Sequence, residues 1–110
     1  MTIKLQKWQL RIQHIKQELL GLGDMRPGAL TTQYNVCGKP NCRCKHPKHP
    51  KKHGPYYQIS YTHMGKSTSE FVKKEAVAQV REQLRNYARF RKLTEEWVAL
   101  SLKIAKLRRK

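Results

Sequence analysis

No apolar run in this chain approaches the ~20 residues that a membrane-spanning helix needs, and only 7 of its 110 residues are acidic. The first shortage argues against a helical membrane anchor. The second leaves 24 lysines and arginines almost unopposed, a formal net charge of +17. Hydrophobic residues make up only 38% of the chain, too few for one large core. Short chains of this kind lean on a metal, a disulfide or a partner subunit. Cysteine is scarce too: the three present lie within one eight-residue stretch. An odd, clustered set fits a disulfide framework poorly and a metal site in a reducing cytoplasm well. Apolar and polar residues alternate at the start of the chain, which predicts no secretory leader. The expected location is the cytoplasm, or the nucleoid if the partner is DNA.

A positive field of this size selects polyanions. No lipidation motif points to a membrane, so nucleic acid is the expected partner. The charge is uneven. Residues 37–55 carry 6 bases and no acid, and residues 73–110 carry 12 bases and 4 acids. These are the two basic centres.

The expected fold class is α+β, a single domain over 1–110. In residues 2–22, Leu5, Trp8, Ile12, Ile15, Leu19 and Leu22 step by three and four, an apolar helix stripe that Gly21 and Gly23 end. Residues 24–36 read as irregular, with Pro27-Gly28 as a turn signal. Residues 37–55 are dense in Pro, Gly, Lys and His, and predict a metal-held turn. Residues 56–72 alternate with period two about Met64-Gly65 and predict a β-hairpin. A loop of two or of three residues there decides whether Phe71 faces Tyr57. Glycine and proline are absent from residues 73–108, which predict one long helix striped from Val77 through Leu93 and Trp97 to Leu107. That helix would span about 50 Å against about 30 Å for the first. The two are expected to pack antiparallel, coiled-coil-like, and the surplus stripe makes a homodimer a further expectation.

Cys37, Cys42 and Cys44 form a C-x4-C-x-C pattern followed by His46, His49 and His53. Three thiolates and one imidazole make an ordinary tetrahedral set for a structural zinc ion. His46 follows Cys44 too closely to bind with it easily. His53 is preferred as the fourth ligand because it directly precedes Gly54-Pro55 and the hairpin, with His49 next. With the ligand set complete and no carboxylate in the loop, neither a catalytic zinc nor a cysteine nucleophile is expected, and the chain reads as a non-enzyme.

The run Met25-Arg-Pro-Gly, Gln33-Tyr-Asn, the cysteine triplet and His53-Gly-Pro-Tyr-Tyr57 resembles a family of short bacterial proteins known only as a domain of unknown function. The resemblance covers nearly the whole chain. It implies that the histidine before Gly-Pro-Tyr, His53 here, stays when the preceding loop shortens. It also implies a link to mobile elements, with a transposase or recombinase as partner.

For nucleic-acid contact the loop supplies Lys39, Arg43, Lys45, Lys48, Lys51 and Lys52 beside Tyr56 and Tyr57, bases for phosphates and aromatics for stacking. By alternation one of the two tyrosines must face inward as hairpin packing. On the long helix Arg81, Arg85 and Arg89 repeat every four residues, with Lys74 and Lys92 close to the same face. Such a row follows a phosphate rail, or else is a solvated face with intrahelical pairs. The function expected is DNA binding as an accessory or regulatory factor. RNA binding and a protein-interaction adaptor working through the helices are the alternatives.

Overall fold

The computed structural model describes residues 3–35, 46 and 51–109. The architecture is α+β: helix α1 (Ile3–Leu20), strands β1 (Ala29–Asn35), β2 (His53–His63) and β3 (Lys66–Val72), a 3-10 turn at Lys74–Ala76, and helix α2 (Val77–Leu107). The chain divides into two compact units. One comprises Met1–Arg26 and Arg85–Lys110, the other Pro27–Leu84. No described helix is long and apolar enough to cross a membrane.

The helical unit forms because the two stripes need each other. Ile15 and Leu93 are fully buried and Leu100 nearly so, with Trp8, Ile12, Leu19 and Trp97 packed around them. Each tryptophan is covered by a lysine of the opposite helix. Lys16 Nζ lies 5.3 Å from the Trp97 ring and Lys103 Nζ 5.9 Å from the Trp8 ring. Arg11 binds Glu96 with two hydrogen bonds, 2.5 and 2.9 Å, and Arg89 donates to Glu18. Reading Glu18–Arg89, Arg11–Glu96 and Trp8–Lys103 in turn, the contacts descend α1 while they climb α2. The contacts therefore run antiparallel. α1 ends where the Gly21 and Leu22 amides turn back to carbonyls of the last turn. Beyond it, Asn86 Nδ2 donates to the Asp24 carbonyl at 2.8 Å.

The Arg11 hydrogen bond, reinforced by the Arg11, Arg89 and Lys92 charges, holds the Glu96 carboxyl below the usual carboxylate range despite its partial desolvation. A carboxyl whose pKa is lower folded than unfolded stabilises fully above the unfolded value. It loses that contribution as pH falls through the folded one. Below about pH 4.3, the free glutamate value, the helical unit should therefore weaken. In melts followed by circular dichroism from pH 5 to pH 3, Glu96→Gln should lose less melting temperature than the parent chain. Parallel losses would remove Glu96 from the account.

The sheet unit corrects one expectation. Within the stretch read as irregular, residues 24–36, Ala29–Asn35 is a strand that pairs antiparallel with β2. Its alternation is invisible in sequence because Leu30 is its one large aliphatic side chain. What defines it is the edge of β2, a non-local template. The result is a three-stranded meander in the order β1-β2-β3. A third strand suits the physics, since a lone hairpin is marginal in water. Gly28, at φ +116°, opens β1, and a Cβ there would run into the Ser60 carbonyl oxygen.

The β2–β3 loop has two residues. Met64 and Gly65 both have positive φ, 50° and 79°, and His63 pairs with Lys66. Positive φ at both central positions is the I′ hairpin turn. It sets the register left open in sequence: Tyr57 is opposite Val72, and Phe71 is opposite Gln58.

Candidate nucleic-acid interface

Period two gives the sheet two unlike faces. One carries Leu30, Tyr57, Ile59, Tyr61 and Val72, with Ile59 fully buried; among the described residues Val80 is the other buried hydrophobic of this unit. The opposite face is polar and open. Gln33 Nε2 donates to Gln58 Oε1 at 3.0 Å, and Thr31 Oγ1 donates to the Gln58 carbonyl at 3.3 Å. The Ser60 and Ser69 hydroxyls meet at 3.1 Å, and those of Thr62 and Ser67 at 2.8 Å. Two aromatic rings stand on this polar ground. Phe71 is 79% exposed and Tyr56 42%. Because Phe71 is opposite Gln58, it is the diagonal neighbour of Tyr56 on the same face.

Both rings border an open cleft of about 420 Å³ at one end of the sheet. Pro55, Tyr57 and Val72 complete its apolar wall, and Lys73 and Lys74 supply its cations. The Met64-Gly65 turn is at the other end. Residues 36–52 leave β1 and return to β2 at the cleft end, where Asn35 pairs with His53.

That pairing contains a bulge. From Gln33 to Asn35 is two steps on β1, whereas Tyr56 to His53 is three on β2. The extra residue falls in the Gly54-Pro55 pair, opposite Tyr34. Proline has no N–H for the ladder, and Gly54 takes φ +135°. A Cβ on Gly54 would come 2.8 Å from the Gln33 carbonyl oxygen. The bulge changes the parity of the strand. Counted back from Tyr57, His53 belongs to the buried face; paired with Asn35, it takes a position in register with Gln33 and Tyr56. The His-Gly-Pro-Tyr run is thus a device that re-aims the first residue of β2.

The expected site residues fall into three groups. Cys37, Cys42, Cys44, Lys39, Arg43, Lys45 and Lys48 lie outside the described residues, as does His49. No cluster of metal-binding side chains occurs among the described residues, which exclude all three cysteines. Lys51 and Lys52 are exposed just before β2, His53 is half-buried at its start, and Tyr56 is exposed on the open face. Of the tyrosine pair it is Tyr57 that turns inward. Arg81, Arg85 and Arg89 are exposed on α2, Arg81 in the sheet unit and the other two in the helical unit. Arg89 is engaged with Glu18, whereas Arg81 and Arg85 form no ion pair among the described residues.

Phe71 and Lys73 were missed by sequence reading. Loop length was the one signal available for Phe71, since a two-residue turn at Met64-Gly65 dictates its position opposite Gln58. Lys73 joins the cleft only because β3 ends beside the start of β2.

A family model described as Domain of unknown function (DUF6788) matches residues 5–82. The match takes in α1, the cysteine segment, the whole sheet and the first turns of α2, and it stops short of Arg85 and Arg89. No curated protein and no solved structure matches the chain.

Proposed function

The chain belongs to the family of Domain of unknown function DUF6788, and we propose that it is a non-enzymatic zinc protein that binds nucleic acid, DNA in preference to RNA. It acts in the cytoplasm as an accessory or regulatory factor, with a mobile-element transposase or recombinase as the candidate protein partner. The observation that carries this reading is the open sheet face. Two exposed aromatic rings border a cleft holding Lys73 and Lys74, on a chain of net charge +17. Cations meet phosphates and rings meet bases, and nucleic acid offers both within one nucleotide.

Zinc would be held by Cys37, Cys42, Cys44 and His53. The pairing of Asn35 with His53 supports the choice of histidine, because Cys37 follows Asn35 by only two residues. Two residues of chain reach about 7 Å at most. His53 is thus paired with a residue two positions before the first cysteine of the proposed set. The ion's part is structural: it closes a polar segment that has no apolar core of its own.

Binding is tested with labelled DNA and RNA oligonucleotides at low salt. Submicromolar affinity for at least one is expected, and no binding to either would sink this reading. The contribution of α2 is tested with Arg81→Glu and Arg85→Glu together. Arg89 is left alone because its pair with Glu18 belongs to the helix packing. A tenfold or greater loss would make the row a contact. Unchanged affinity would assign binding to the sheet and loop.

A second reading has its own support. Leu10 on α1 is 67% exposed, and Val98 and Leu102, one turn apart on α2, are each 59% exposed. These apolar side chains on otherwise polar faces suit a helical partner or a second copy of the chain, and sedimentation of the purified protein separates monomer from dimer.

A further inference from the structure

We propose that the ligand of the open sheet face is unpaired DNA, its bases stacking on Phe71 and Tyr56 and its phosphates meeting Lys73 and Lys74. The proposal rests on the nucleic-acid reading and narrows it from any DNA to a single strand.

Phe71 is the decisive residue. It is 79% exposed on a face that, Tyr56 and Ala29 apart, is made of Gln, Ser and Thr, so folding gains little from it. A phenylalanine left in water beside a second aromatic is a surface waiting for a flat partner. In duplex DNA both faces of each base are already covered by its neighbours. Aromatic side chains on a sheet can stack only on bases that have left the helix. The rest of the face agrees with this. Its side chains pair across strands as Gln33–Gln58, Ser60–Ser69 and Thr62–Ser67, which leaves spare donors and acceptors for base edges. An apolar protein partner would have to bury those groups, and burial without new hydrogen bonds is costly.

Charge points to the same ligand. The cleft beside the rings contains two lysines and no acid. At that end of the sheet Lys51 and Lys52 stand exposed just before β2. A strand lying across the open face toward this end therefore runs from a stacking surface toward the lysines of the cleft. The long-helix arginines are not needed for it.

The test uses the full-length, zinc-loaded chain and fluorescence anisotropy with three probes of equal length: oligo-dT, a mixed-sequence DNA duplex and oligo-U. Oligo-dT is expected to bind more tightly than the duplex. Phe71→Ala should weaken oligo-dT binding roughly ten- to hundredfold, the range lost when one stacked base loses its aromatic partner. Phe71→Tyr should restore most of it. Tyr56→Ala should weaken oligo-dT binding in the same way, with circular dichroism confirming that each variant is folded. If folded Phe71→Ala and Tyr56→Ala variants bind oligo-dT like the parent, or if the duplex is preferred, this inference fails while nucleic-acid binding stands. Tighter binding of oligo-U overturns the assignment to DNA. Failure of all three probes at low salt overturns the broader reading and this one with it.

Discussion

Removing zinc, or replacing Cys42 with serine, is expected to unfold the sheet unit. Purified protein should contain about one zinc per chain, and the β signal in circular dichroism should disappear when a strong chelator extracts it. The size of the effect follows from what the unit lacks. Among the described residues its two buried hydrophobics are Ile59 and Val80, and burying such a side chain contributes about 1.5–3 kcal/mol. A structural zinc site contributes about 10–16 kcal/mol at neutral pH in zinc-finger peptides. The metal term would thus be the larger one, and a serine hydroxyl in place of one thiolate would remove a quarter of the proposed ligand set. The pair of Asn35 with His53 should be lost with it, since His53 is itself one of the proposed ligands. A well-folded chain with no bound metal would overturn the zinc proposal. Acid would also release zinc from the proposed site, because thiolates and imidazole must lose their protons to bind it. Comparing melts with and without chelator separates that release from the protonation of Glu96.

Raising salt from 50 to 200 mM should weaken nucleic-acid binding by orders of magnitude. If six bases, Lys73 and Lys74 among them, each neutralise one phosphate, the slope of log K against log salt is about −4.2 for a single strand and about −5.4 for a duplex. A fourfold rise in salt then costs roughly 300-fold in affinity for the single strand and roughly 2000-fold for the duplex. The ratio matters as much as the size. A stacked strand keeps a salt-independent share of its affinity, so Phe71→Ala should lower oligo-dT affinity without changing the slope. Lys73→Gln should flatten the slope by about 0.7, one phosphate's worth. Titrations at four salt concentrations measure both. An adaptor that works through helix packing would show a slope near zero.

Much of this was legible in the sequence. The stripes in α1 and α2 step by three and four because one face of each helix must leave water, so Ile15, Leu93 and Leu100 are recognisable as core from their spacing alone. Met64-Gly65 is recognisable as a turn for a similar local reason, as few residues accept positive φ. β1 could not be recognised. A strand that contributes one large aliphatic side chain carries almost no periodic signal, and its partner positions lie 18 (Asn35–His53) to 31 (Ala29–Ser60) residues away. The arginine row shows the same limit. A spacing of four places Arg81, Arg85 and Arg89 along one side of α2, but only the packing reveals that Glu18 of α1 takes up Arg89.

The composition alone determined that this protein carries a large positive field with a small apolar core. Helix periodicity and the glycine turn are equally local, because they depend on side chains only a few positions apart. What the tertiary structure decided is which residues the field surrounds. Register is a relation between strands, and a shift of one residue would exchange the faces of the sheet. The two-residue turn sets Phe71 opposite Gln58, and the Gly54-Pro55 bulge brings His53 into line with Tyr56. Neither relation exists until the strands pair. The aromatic pair on the open face, and the cleft it shares with Lys73 and Lys74, could be found only there.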